Sequence, residues 1–275
     1  MFKKFIWYLS SRTGPFKGKE KIISWLTRSK NKYIIIKREN INWCLTGHDL
    51  NEFSIAVRKN HSPELSIFLS EYIANKSTSV FWDIGANIGA ISLPLLKKFK
   101  KLKAVIFEPS PKPLSCLIGN IDCNPDLIER AIIMNLALSN FTTIGKFYNS
   151  NESFNSEVGG LEKTNNRHGF SINLQTYKGD DLVNNNICPK PDLIKIDVEG
   201  FEFEVLQGMQ NILTKNRPTI LFEHSIYRLS ERNHEKNKTL LLLQSFGYKT
   251  FKLPNMKRII SDDLEKDHDF IIAEI

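Results

Sequence analysis

From Ser79 onward, short β-branched and aromatic runs alternate with stretches whose apolar residues recur every three or four positions. That alternation predicts βαβ units and a parallel sheet. Val80 to Asp83 is a candidate buried strand, and Ile91, Leu95 and Phe99 mark the inner face of the helix after it. Pro94 falls near that helix's start, where a missing N–H costs least. Ala104 to Phe107 predicts a second strand, ended by the Pro109-Ser110-Pro111 corner. Leu114, Leu117, Ile118 and Ile121 predict a helix, and Ile132 to Leu138 a third strand. A fourth strand over Asp192 to Asp197, its helix from Phe201 to Met209, and a fifth strand over Thr219 to Phe222 continue the rhythm.

The ends of this region read differently. A Leu-rich helix near Thr239 to Phe246, then Tyr248 to Leu253 and Phe270 to Ile275, close the sheet with a terminal pair that includes an antiparallel edge strand. Gly145 to Tyr148 and Phe170 to Tyr177 are expected to be edge strands. They bracket an Asn/Ser/Gly-rich stretch, residues 149–169, that is either a lid over substrate or a plain connector. Upstream, Tyr33 to Ile36 and Phe53 to Val57 predict short strands and Glu64 to Ile73 a helix. The expectation is an α/β, doubly wound, Rossmann-like domain over residues 79–275, mostly parallel, with a small N-terminal cap over residues 1–78.

Composition narrows this only a little. With 275 residues, 41% of them hydrophobic, the chain can bury a full core. A formal charge of +8 suits an anionic partner, but lysine is spread along the whole chain, so a compositional bias explains it as well. Cys44, Cys116, Cys123 and Cys188 form no CxxC pair, which argues against a disulfide framework or a structural zinc site. The apolar run Phe5 to Leu9 is too short for a signal peptide, and no stretch approaches the roughly 18 apolar residues of a membrane span. A cytoplasmic protein is expected, with peripheral contact to the inner face of the membrane through Phe5, Trp7 and Tyr8 as a lesser alternative. Nothing in the sequence fixes an oligomeric state.

The segment richest in chemistry is Asp83-Ile84-Gly85-Ala86-Asn87-Ile88-Gly89, a strand entering a glycine-bearing turn before a helix. Its glycines let backbone approach a ligand closely. About twenty residues on, Glu108 ends the second strand, where a carboxylate can accept both hydroxyls of a ribose. A dinucleotide site would call for G-x-G-x-x-G with pyrophosphate over the helix N-terminus. Here the turn is G-x-N-x-G and begins with a carboxylate, which suits a ligand bearing an ammonium and a sulfonium group.

Val80 to about Ser225 resembles the FkbM family of S-adenosylmethionine-dependent methyltransferases. Phe81 to Ala90 is similar to that family's first motif, Val105 to Pro109 to its second, and Asp192 to Gly208, reading DLIKIDVEGFEFEVLQG, to its fourth-strand motif. The resemblance implies a class I methyltransferase sheet and methyl transfer to oxygen on a sugar or natural-product scaffold. It further implies that Asp83, Gly85, Ala86, Asn87 and Gly89 line the methionine half of S-adenosylmethionine. Glu108 would then hold the ribose, with Asn135, Ala137 and Leu138 near the adenine.

A sugar hydroxyl needs a base as well as alignment. Asp197 and Glu199 leave the fourth strand, and Glu223 and His224 the fifth, at the crevice where open α/β sheets bind ligands. These four are the catalytic candidates. Asp197 and Glu223 also offer themselves to a divalent cation that would acidify the acceptor. Asp197 and Glu199 alternatively serve only as acids in the first turn of the next helix. A nucleic-acid methyltransferase is disfavoured, because no base-flipping signature such as an Asn-Pro-Pro-Tyr turn is present. A non-catalytic scaffold of the same fold is argued against by the joint presence of Asp83, Glu108, Asp197 and Glu223.

Overall fold

The computed structural model describes residues 33–46, 52, 55, 63–76, 78–148, 171–231, 235, 237–259 and 268–275. Thirteen strands and seven α-helices are described among them. The central sheet has eight strands in the order β12-β11-β13-β10-β9-β3-β4-β5. Its heart is parallel: β3 (Val80–Ile84), β4 (Lys103–Phe107), β5 (Ala131–Met134), β9 (Leu193–Ile196) and β10 (Thr219–His224). The side chains of β9 are buried throughout, the pattern of a strand covered on both faces. The two terminal segments expected from sequence both join the sheet, Tyr248 to Leu253 as β11 (Lys249–Lys252), and an unforeseen strand, β12 (Lys257–Arg258), forms the antiparallel edge on it. A second antiparallel strand, β13 (His268–Glu274), inserts between β11 and β10.

Both faces of the sheet are covered. On one, Phe81, Leu193 and Leu221 pack with α1 (Pro63–Lys76), α2 (Ser92–Lys98) and α3 (Pro111–Asp122). On the other, Trp82, Ile194 and Phe222 pack with Leu182 of α4 (Gly179–Asn184), Leu206 of α5 (Glu202–Gln207) and Leu240 of α7 (Lys238–Ser245). A further helix, α6 (Ile226–Glu231), follows β10. The hairpin of β1 (Ile34–Arg38) and β2 (Ile41–Leu45) lies on α3: the Cys44 N–H donates to Asn120 Oδ1 at 2.6 Å and the Asn42 N–H to Asn124 Oδ1 at 3.0 Å. Asn120 in turn donates to the Ile88 carbonyl at 2.9 Å, which ties the hairpin to the turn after β3.

Several local expectations change. The third strand breaks at Asn135, and its tail becomes β6 (Ala137–Leu138) of a separate three-stranded sheet, order β6-β8-β7. The two segments expected as edge strands, β7 (Thr143–Tyr148) and β8 (Ser171–Tyr177), pair with each other there and not with the main sheet. Ile118 lies on the outer face of α3, 44% exposed, while Leu114, Cys116, Leu117, Asn120 and Ile121 face inward. Of the stretch Phe53 to Val57, only Ile55 is described, and it is helical. Residues 1–9 and 149–169 lie outside the described residues.

Candidate active site

β3 is flanked by β4 on one side and β9 on the other, so the crossovers leave it in opposite directions and a crevice opens at the carboxyl ends of the strands. The turn after β3 fills one side. Gly85 (φ +77°), Asn87 (φ +54°) and Gly89 (φ +83°) all take the left-handed backbone conformation. At Gly85 a Cβ would stand 1.9 Å from the Asp197 carbonyl oxygen, so this position admits only glycine. The N–H groups of Gly85 and Ala86 both donate to the Phe107 carbonyl at 3.0 Å, which seats the turn on the end of β4.

Glu108 completes that side. One of its carboxylate oxygens accepts the Asn87 N–H at 2.8 Å and the other the Ser110 N–H at 2.7 Å. Burial pushes the carboxyl up to about 7, against the opposing pull of those two N–H donors. Each oxygen retains a lone pair for a further donor. Asn87 Oδ1 is buried and without a hydrogen-bond partner. An orphaned acceptor beside a held carboxylate fits a ligand that brings an ammonium group and vicinal hydroxyls, as S-adenosylmethionine does. Asn135 is exposed and borders a groove of about 510 Å³ between α3 and β8, together with Pro109, Ile118 and Gln175. Ala137 is half-buried, and Leu138 packs into the core beside Leu136.

Asp83 is the residue whose position differs most from its expected role. It has no exposed surface; one carboxylate oxygen accepts the Ser92 hydroxyl at 2.6 Å and the other lies 3.3 Å from Lys195 Nζ. It therefore supports the turn from beneath. Lys195 also donates to the Gly85 carbonyl at 3.0 Å and lies 3.2 Å from Asp197 Oδ2. Burial alone would push the Lys195 ammonium down, but Asp197 and Asp83 outweigh it and hold the group above the usual lysine range. The sequence reading passed over this residue. Its signal was there: a lysine amid the apolar Leu193, Ile194 and Ile196 of a buried strand needs a buried anion as partner.

On the other side of the crevice stand the acids of β9 and β10. The Asp197 side chain is 32% exposed and borders the opening. Glu199 (φ +58°) pairs with Arg228 of α6, Oε2 to Nε 2.6 Å. Glu202, which sequence reasoning also missed, accepts the N–H groups of Val198 and Gly200 and so shapes the turn between β9 and α5. Burial pushes its carboxyl up to about 7. Glu223 feels burial and then the charges of Asp197, Glu199 and Glu202, only partly relieved by Arg228, and is pushed up to about 9. The structure therefore brings Asp197, Glu199 and Glu223 together. His224 is 2% exposed and sets its ring against Phe222, in the interior. No group of three or more His, Cys, Asp or Glu side chains is arranged to hold a metal ion among the described residues.

The comparisons with known proteins bear on the same region. A family model described as Methyltransferase FkbM domain matches residues 83–250, from the acid at the end of β3 to β11. The chain is 34% identical over 134 residues to "Hexuronic acid methyltransferase AglP" of Haloferax volcanii, covering 49% of this chain and 51% of that protein. It is 28% identical over 212 residues to "2-O-methyltransferase NoeI" of Sinorhizobium fredii, covering 72% and 84%. The match thus spans about half the length of the first of these relatives and most of the second. Among solved structures, "Methyltransferase FkbM" from Methylobacillus flagellatus aligns over 82% of this chain and 54% of that one, at 15% identity and a TM-score of 0.48. An O-methyltransferase from Bacillus cereus in complex with SAH aligns over 78% and 81%, at 14% identity and a TM-score of 0.44. With the family model covering well over half of its length, the chain belongs to the FkbM methyltransferase family.

Proposed function

We propose that the protein transfers the methyl group of S-adenosylmethionine to a hydroxyl of a sugar acceptor. The observation that carries this reading is the convergence of the left-handed turn at 85–89, the N–H-held Glu108 and the solvent-bordering Asp197 on one crevice. The relatives named as a hexuronic acid methyltransferase and a 2-O-methyltransferase support a sugar over other natural-product scaffolds.

When bound, S-adenosylmethionine supplies an electrophilic methyl group on a sulfonium. In this reading Glu108 accepts the ribose hydroxyls, Asn87 Oδ1 the ammonium of the methionine half, and Asn135 with the backbone near Ala137 borders the adenine. Gly85, Ala86 and Gly89 let the backbone come close, and Asp83 holds their turn in place. Asp197 would take the proton of the acceptor hydroxyl as the new C–O bond forms and the methyl–sulfur bond breaks, the sulfonium leaving as a neutral thioether. Glu223, pushed up to about 9, stays protonated near neutrality and donates a hydrogen bond to the acceptor. Glu199 acts through its pair with Arg228, and His224 supports the strand from inside. A divalent cation has no place in this scheme, because Asp197 already faces the Lys195 ammonium. The setting proposed is the cytoplasm, with any membrane contact left to residues 1–9; no helix among the described residues is long and apolar enough to cross a membrane.

The test is transfer of a radiolabelled methyl group from S-adenosylmethionine to a panel of hexuronic acid and neutral hexose glycosides, with magnesium and with a chelator. Label released as a base-stable methyl ether, at equal rates in both conditions, supports the reading. Label found only on nucleic acid, or only in the presence of magnesium, contradicts it.

A further inference from the structure

Lys195 is the one lysine or arginine that is buried among the described residues. It stands opposite Asp83 in the β3–β9 register, both on the face that carries Phe81 and Leu221. Three oxygens surround its ammonium: the Gly85 carbonyl at 3.0 Å, Asp197 Oδ2 at 3.2 Å and Asp83 Oδ1 at 3.3 Å. Asp83 is closed off from solvent and Lys195 nearly so, whereas the Asp197 side chain is 32% exposed. A buried polar chain thus runs from the Ser92 hydroxyl through the ion-paired Asp83 and Lys195 and surfaces at Asp197.

Stability alone is a poor account of this lysine. A buried ion pair is often no more stabilising than apolar side chains of similar volume, and the neighbouring positions of β9 are leucine and isoleucine. What an apolar residue would lose is the link between two parts of the crevice. One acceptor belongs to the turn at 85–89, and another is the exposed carboxylate across from it.

We propose that Lys195 is a positioning residue that locks the Asp197 carboxylate and the Gly85 carbonyl into one frame, so that proton acceptor and methyl donor keep a fixed relative placement. The proposal rests on the methyltransferase reading above for its catalytic meaning. Without the lysine, two carboxylates face each other and Asp197 holds a proton more readily.

The test begins without cofactor or acceptor. The carboxylate of Asp197 is titrated by carbon NMR in the full-length protein, its signal assigned by loss in Asp197→Asn, and compared with Lys195→Met and Lys195→Arg. Retained near-ultraviolet circular dichroism checks the fold. The Asp197 midpoint is expected to rise by at least about one pH unit in Lys195→Met and to stay near the wild-type value in Lys195→Arg. An unmoved midpoint in Lys195→Met overturns the proposal. Should the Met variant fail to fold, Lys195→Arg carries the test through kinetics, because the planar guanidinium cannot reproduce the ammonium's contacts: a loss of kcat confined to protein that keeps Asp197 supports the proposal, and an equal loss in the Asp197→Asn background overturns it.

The second readout is a double-mutant cycle on kcat. Lys195→Met is expected to lower kcat by at least about thirtyfold and to move the acid limb of its pH profile upward. In the Asp197→Asn background the same substitution should change kcat by less than about threefold. Losses that multiply would mark a merely structural lysine and overturn the proposal. Absence of methyl transfer by the wild-type protein would fault the functional reading instead, and the titration would still decide the role of Lys195.

Discussion

On the β3–β4 side of the crevice Glu108 is held by backbone N–H donors, whereas on the β9–β10 side Asp197, Glu199 and Glu223 stand among other charged side chains. Glu108 takes one N–H from Asn87 and one from Ser110, and the turn itself is fixed by its hydrogen bonds to Phe107. Asp197, Glu199 and Glu223 instead answer to Lys195, to Arg228 and to one another. Backbone donors are fixed once the strands are in place. Charges at short range polarise and protonate each other, so the second side is tunable by pH and strongly non-additive. The contrast suits a fixed seat for a cofactor beside an adjustable site for proton transfer.

The largest effect is expected where the two sides touch. Gly85→Ala would drive a methyl group into the Asp197 carbonyl and force a left-handed alanine, at a cost of about 2–4 kcal/mol. Thermal unfolding should show that loss, and calorimetry should show no detectable S-adenosylmethionine binding. An unaffected variant would mean that the two sides are not in contact.

Next come the acids of β9 and β10. Asp197→Asn is expected to lower kcat by about a hundredfold or more while the affinity for S-adenosylmethionine changes little. Glu223→Gln, in contrast, replaces a group that is already neutral below about 9 and should retain kcat to within about fivefold near pH 7. Steady-state kinetics on both variants sharpen the comparison, and the reverse ranking would exchange the two roles.

On the cofactor side the expected effect is smaller and depends on pH. Glu108 ionises near 7 in the folded protein against an ordinary value of 4.5. A raised carboxyl contributes stability below pH 4.5 and loses it as pH rises through about 7, because its charged form is the disfavoured one. In the proposed reading it is to that charged form that the ribose hydroxyls would donate. S-adenosylmethionine affinity should therefore rise by about tenfold between about pH 6 and pH 8, and Glu108→Gln should bind weakly with no such slope. The smallest change is Ser92→Ala, which removes one donor to Asp83 and should cost about 1–2 kcal/mol in denaturant unfolding.

The same contrast explains what the sequence revealed. Gly85, Asn87 and Gly89 announce a left-handed turn because few residues tolerate that backbone, and Glu108 is found by its place at a strand end. β3, β4, β9 and β10 are legible as apolar runs between helical periods. Lys195 stands out as a lysine in an apolar strand, but its partner Asp83 is named only by cross-strand register, and Glu202 is hidden because its meaning lies in turn N–H groups that no local pattern reveals. Ala137 to Leu138 and β8 likewise form a strand pair across a long sequence separation, so the second sheet to which β8 belongs leaves no local trace in the sequence.

The central claim is tested most directly by calorimetric titration of S-adenosylmethionine and its demethylated product into the wild-type protein and Glu108→Gln at pH 8. The account predicts one site per chain for both ligands in the wild type and at least about tenfold weaker binding in the variant. A folded wild-type protein that binds neither ligand, or a variant that binds both as tightly, would contradict it.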